Sequence, residues 1–140
     1  MEAHRAAVEE HGDQAMGFPH DKTTHHFRLT EDGGAIEVTA NDSADKVNVE
    51  AIRSHLTHIA IMFQNGDFST PMFVHGNIPP GVTAMKLLKN KVQFTYEAMD
   101  AGGRVRIVSH DPVAIAAVHD FLRFQITDHQ TGDPLKAEAH

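Results

Sequence analysis

The feature that most constrains this chain is that it repeats itself. Asp32 to Pro71 reads DGGAIEVTANDSADKVNVEAIRSHLTHIAIMFQNGDFSTP, and Ala101 to Leu135 reads AGGRVRIVSHDPVAIAAVHDFLRFQITDHQTGDPL. Both run from Gly-Gly through an alternating strand, an Asp-containing turn and an apolar helix to Gly-Asp. AIRSHL lies over AVHDFL, and QNGD over QTGD. An ordered series of matches of this kind sets the fold before any local propensity does.

Each copy has a further alternating segment upstream. In HHFRLT, His25, Phe27 and Leu29 share one face; in VQFTYE, Val92, Phe94 and Tyr96 do. The Gly-Gly pairs at 33–34 and 102–103 are expected to supply positive-φ turns, so that each copy opens as a β-hairpin. Ile36, Val38, Val105 and Ile107 then point inward, and Glu37, Arg104 and Arg106 outward. The expected fold is α+β: two ββα repeats making a four-stranded antiparallel sheet, with both helices on one face. Repeat one covers 23–71, a linker 72–90 and repeat two 91–135, within one domain over 23–140. Residues 1–22 are expected to form a short helix and an arm.

The first repeat helix spans about Val47 to Asn65, with Val49, Ile52, Leu56, Ile59 and Phe63 as its apolar stripe. The second spans Pro112 to about His129 and is apolar over a wider arc. A homodimer interface is the expected cover for that arc.

Composition narrows the function. Acidic residues outnumber basic ones, 19 to 12, for a formal net charge of −7, which excludes the basic patches of nucleic-acid binding and argues against anionic membranes. No cysteine is present, so thiolate catalysis, disulfides and Cys-type zinc sites are excluded together. No GxSxG, Walker A, HExxH or GxGxxG occurs, so the sequence names no reaction. Histidine, by contrast, occurs 12 times. A metal in this chain would be held by His, carboxylate or Met.

Candidate ligands fall in three places. His55 and His58 lie three apart on neighbouring turns of one helix face, and Met62 continues their line. His25 has the parity of Phe27 and points to the helix layer, where it can meet His55 or His58, with Met16 and His20 just upstream. His75 follows Met72 by three residues in PMFVHG and is expected on a loop. His–Met sets suit copper; all-His or His–carboxylate sets suit zinc, nickel or Cu(II). The plain alternatives are half-exposed helix histidines, a hydrogen-bonded core histidine and a loop residue capping a carbonyl. The duplication places His55 and His58 over Phe121 and Phe124, so both are expected to be partly buried and to need partners. An apolar pocket with one axial histidine also suits haem: His25, His58 or His75 as ligand, with Phe63, Phe73 and Met72 around the ring.

MGFPHDKTTHHF, IRSHLTHIAIMFQNGDFSTPMFVHG, PPGV and VHDFLRFQITDHQTGD resemble a family of small bacterial proteins without assigned chemistry. The resemblance runs from about His4 to Asp133. Many members look exported, which implies a periplasmic or otherwise exported home. Some carry the label aspartate carbamoyltransferase, which does not suit this chain: it is too short for such a two-domain enzyme and lacks the phosphate-binding motif. The expected function is therefore transition-metal binding, copper first and zinc second, in an oxidising extracytoplasmic compartment. Haem binding, or a dimeric non-catalytic small-ligand or interaction role, stand as alternatives.

Overall fold

A computed structural model describes residues 20–76 and 78–137, excepting the side chains of His20, Met72 and Phe73. The expected N-terminal helix and arm, with Met16, lie outside the described residues. Four strands of equal length form the sheet: β1 (Thr23–Thr30), β2 (Gly33–Ala40), β3 (Val92–Met99) and β4 (Gly102–Ser109). Helices α1 (Lys46–Gln64), α2 (Ser69–His75), α3 (Val82–Leu87) and α4 (Pro112–His129) complete the domain.

The sheet is one continuous antiparallel layer in the order β1-β2-β4-β3. Its central pairing is symmetric: Ile36 faces Val105, its own counterpart in the other repeat. Gly33 faces Val108 at one end of that pairing, and Thr39 faces Gly102 at the other. A pseudo-twofold axis therefore passes through the Ile36–Val105 pair. The α+β architecture of two ββα repeats follows directly.

The Gly-Gly pairs do a different job from the one expected. The turn residues are Glu31-Asp32 and Asp100-Ala101, and the glycines open β2 and β4. Only Gly33 of the four has positive φ, at 144°. Their role is close approach between the inner strands. A Cβ on Gly33 would lie 2.2 Å from Ile107 O, and one on Gly102 would lie 2.1 Å from Val38 O, related contacts at the two ends of the central pairing.

Sheet alternation puts Phe27, Leu29, Ile36, Val38, Phe94, Val105 and Ile107 on the buried face. Arg28, Glu37, Arg104 and Arg106 occupy the other, where Arg106 pairs with Asp32 and Arg104 with Glu97. Both long helices pack on the buried face, but each crosses to the other repeat. Helix α1 lies chiefly over β3 and β4, and α4 chiefly over β1 and β2. Their starts are capped by Asp45, which accepts from Asn48 N–H, and Asp111, which accepts from Val113 and Ala114 N–H. Pro112 opens α4 where a missing N–H costs nothing. The wide apolar arc of α4 is covered partly from within the chain, by α3, which packs against it.

Among the described residues no helix is long and apolar enough to cross a membrane.

Candidate functional site

The helix exchange brings the C-terminal end of α4 over β1. There, a cavity of about 60 Å³ is lined by His25, His55, His75, His129 and Gln125 together with apolar side chains such as Phe27, Ile59 and Phe63. The histidines come from β1, α1, α2 and α4, so no short motif contains them.

His129 is the centre of the group. Its ring lies 6.3 Å from that of His25, nearly parallel to it, and 4.8 Å from that of His75, nearly perpendicular. Phe27 stacks on it from β1 at 5.6 Å. Burial pushes its pKa down to about 3, with His75 and then His25 adding to the effect and Asp128 opposing it. Across the cavity His55 is pushed down to about 4, first by burial and then by neighbouring His58. Both rings are therefore neutral at physiological pH, the form that binds metals.

His75 is held differently. Its Nδ1 donates to the Asp128 carboxylate, and its Nε2 lies 2.7 Å from Gln125 Oε1. Both ring nitrogens are thus engaged by α4 side chains. Gln125 is buried, and its Nε2 has no hydrogen-bond partner among the described residues.

Asp133 fastens the chain beyond α4 to β1. It accepts from Phe27 N–H at 3.0 Å, His26 Nδ1 at 2.8 Å and Thr131 Oγ1 at 2.8 Å. Burial works to raise its pKa, but the bonds from Phe27, Thr131 and His26 outweigh that and leave it below the ordinary carboxylate range. This clamp holds the end of α4, and His129 with it, against the strand that carries His25.

The sequence-predicted residues separate into groups. His25, His55, His75 and Phe63 all line the cavity. His75 is buried and ends helix α2 instead of sitting on a loop, because the apolar run before it coils into a helix that packs Pro71 and Val74 inward. His58 is exposed, against the expectation of partial burial: it lies on the outer side of α1, whereas its counterpart Phe124 is partly covered by the His75 ring at 5.0 Å. Met62 is half-buried and is not among the cavity's lining residues. Met16, and the side chains of His20, Met72 and Phe73, lie outside the described residues.

His129, Gln125 and Asp128 are the residues that sequence reasoning missed. The signal was present in the duplication. Aligning the helices puts His129 over Phe63 and His55 over Phe121, and aligning the strands puts His25 over Phe94. In the structure Phe63 packs edge-on against Phe94 at 5.7 Å and against Phe121 at 6.1 Å. The pseudo-twofold axis therefore maps a phenylalanine trio onto the histidine trio.

No protein-family model matches the chain, and neither does a curated protein or a solved structure.

Proposed function

We propose that the protein binds a transition-metal ion between β1, α1 and the end of α4, through His25, His55 and His129. The observation that carries this reading is the replacement: three imidazoles occupy the places where the other repeat packs three phenylalanines. Half-buried imidazoles beside an apolar layer cost desolvation that phenylalanines would not, and ligation would add to whatever offsets it. Imidazole donors without thiolate suit Cu(II) and Zn(II), copper first, and a cysteine-free chain suits an oxidising extracytoplasmic compartment.

The ion would draw the rings together. Two imidazoles on one tetrahedral ion have ring centres about 5 Å apart, given metal–nitrogen bonds of about 2 Å. His25 and His129 stand at 6.3 Å. Among the described residues no three His, Asp or Glu side chains already converge as an ion requires. Binding thus includes a turn of the two parallel rings toward a common point as well as a closure of about 1 Å between β1 and α4. His75, held by Asp128 and Gln125, acts as an outer partner that packs against His129. A cavity of about 60 Å³ favours an ion over haem, since pockets for larger ligands run to several hundred Å³. A homodimer belongs to the same reading, supported by exposed Leu87 and Val113 on the paired helices α3 and α4; light scattering checks it.

The test is calorimetric titration with Cu(II) and Zn(II), backed by elemental analysis, on wild type, His25→Ala, His129→Ala and His58→Ala. One ion per chain is expected, with affinity falling roughly tenfold or more in the first two variants and unchanged in the third. Equal binding by wild type and His129→Ala, or no binding by wild type, removes the reading.

A further inference from the structure

The two edges of the sheet are finished differently. On β1 the Asp133 carboxylate accepts from the Phe27 N–H, which points away from the sheet. On β3 the Gln64 amide accepts from the Phe94 N–H and donates to the Val92 carbonyl. Outward backbone groups recur at every second residue of an edge strand, so those of Tyr96 and Ala98 face outward too. Tyr96 is the counterpart of Phe27: Phe27 stands opposite Ile36, and Tyr96 opposite Val105. Yet the Tyr96 and Ala98 N–H groups have no partner among the described residues. An open run of this kind is a template for another strand. Beside it a groove of about 360 Å³ separates β3 from α1, with Ala60, Ile61, Phe94 and Tyr96 in its walls. Ile61 is 57% exposed there.

The occupant that fits is a second copy of the chain, because the open run complements itself. With Tyr96 opposite its own copy, Phe94 stands opposite Ala98. Each Tyr96 N–H then donates to the other Tyr96 carbonyl, and each Ala98 N–H to the other Phe94 carbonyl. The Phe94 N–H stays with Gln64, so no existing bond is given up. Helix α1 lies over β3 and β4, and strands are about 4.8 Å apart, so the two α1 helices come to roughly 10 Å, a normal packing distance. Charge agrees with this arrangement. Glu50, Thr57, Ile61 and Gln64 follow one line along α1. Exposed Glu50 stands at its start, and exposed Lys89 flanks its end, where the Lys89 carbonyl accepts from Gln64. A twofold axis at Tyr96 sets the α1 helices antiparallel and brings Glu50 of each copy toward Lys89 of the other. A contact along the 19 residues of α1, about 28 Å, and roughly 20 Å deep across both layers covers about 550 Å² per copy, which in total clears the roughly 1,000 Å² of a specific interface.

We propose that two copies pair antiparallel through β3, Tyr96 beside Tyr96, and join their sheets into one. This seats a homodimer on a different face from Leu87 and Val113. None of the residues invoked lines the histidine cavity, so the proposal stands apart from the metal reading.

The test is sedimentation velocity on the full chain: wild type, Ala98→Pro, Glu50→Lys, Glu50→Lys/Lys89→Glu and Leu87→Glu. Ala98 is exposed and its N–H points outward, so proline removes an inter-copy donor and spares the β3–β4 ladder. Circular dichroism checks that this variant folds. Wild type should dimerise, and Ala98→Pro should weaken the dimer roughly tenfold or more. Glu50→Lys should weaken it less, and the double exchange should restore it. Leu87→Glu should leave it intact. Hydrogen exchange at Tyr96 and Ala98 should slow as protein concentration rises. A wild type that stays monomeric at every concentration overturns the proposal. So does a dimer that Leu87→Glu abolishes and Ala98→Pro leaves at full strength. Should Ala98→Pro not fold, exchange decides: rates at Tyr96 and Ala98 that ignore concentration overturn the pairing.

Discussion

At one end of the layer between sheet and helices, Phe63 packs against Phe94 at 5.7 Å and Phe121 at 6.1 Å. At the other end the equivalent positions hold His129, His25 and His55, with His129 and His25 at 6.3 Å. The inner strands pair symmetrically about Ile36 and Val105, so the two ends occupy equivalent positions in the sheet. At the phenylalanine end Phe68 adds a further ring, stacked on Phe63 at 4.4 Å. The cavity lies between the two trios, lined by Phe63 and Phe121 as well as by His25, His55 and His129, and the histidine side adds a pair of depressed imidazole pKa values and an unpaired amide. One end therefore contributes stability through apolar burial, and the other gives some of that up to polar groups.

The most severe way to break the comparison is to truncate the centre of each end. Phe63→Ala should cost about 3–5 kcal/mol in urea unfolding, the usual range for a buried phenylalanine. His129→Ala in the metal-free protein should cost under about 2 kcal/mol, because part of what it removes is a desolvated polar group. Equal losses would mean that the two ends are energetically alike and that the histidines are ordinary core residues.

A gentler change converts one end into the other. The double variant His25→Phe/His129→Phe should gain about 1–3 kcal/mol of stability, the added volume entering the cavity, and lose metal binding altogether. A drop in melting temperature would show that the imidazoles hold the fold together by themselves.

Acid should separate the ends next. The folded-state pKa values of His129, about 3, and His55, about 4, lie below the ordinary 6.5. On acidification the unfolded chain takes up protons first, so stability is intact above pH 6.5 and falls as pH drops toward 4. Between pH 6.5 and 5.5 the loss is about 1 kcal/mol per histidine in the metal-free protein. Urea midpoints across that range should show it, and His129→Phe should flatten the slope. A wild-type slope no steeper than the variant's would contradict the burial of His129 as a neutral ring.

The smallest effect belongs to His58. It is exposed, so His58→Ala should change stability by less than about 0.5 kcal/mol and leave zinc uptake untouched. A large loss of zinc uptake would move the site from the α4 side of the layer to the outer side of α1.

The strands, the long helices and the duplication are legible because period-two and period-3.6 patterns are local. HHFRLT against VQFTYE, and AIRSHL against AVHDFL, need no knowledge of what packs where. The inward parity of His25 is legible for the same reason. The Gly-Gly pairs misled because a glycine that serves strand-to-strand approach looks the same in sequence as one that serves a turn. His58 misled because helical spacing shows which residues share a face and leaves open whether that face is covered.

By itself, then, the sequence determined the unit, its doubling, the inward face of each strand and the absence of cysteine chemistry. Tertiary structure alone decided which histidines meet. Each long helix crosses the pseudo-twofold axis to cover the other repeat's hairpin, so His129 of repeat two reaches His25 of repeat one. That choice rests on packing between elements some hundred residues apart, where no local pattern operates. The same packing made helix α2 out of an apolar run and put His75 between Asp128 and Gln125.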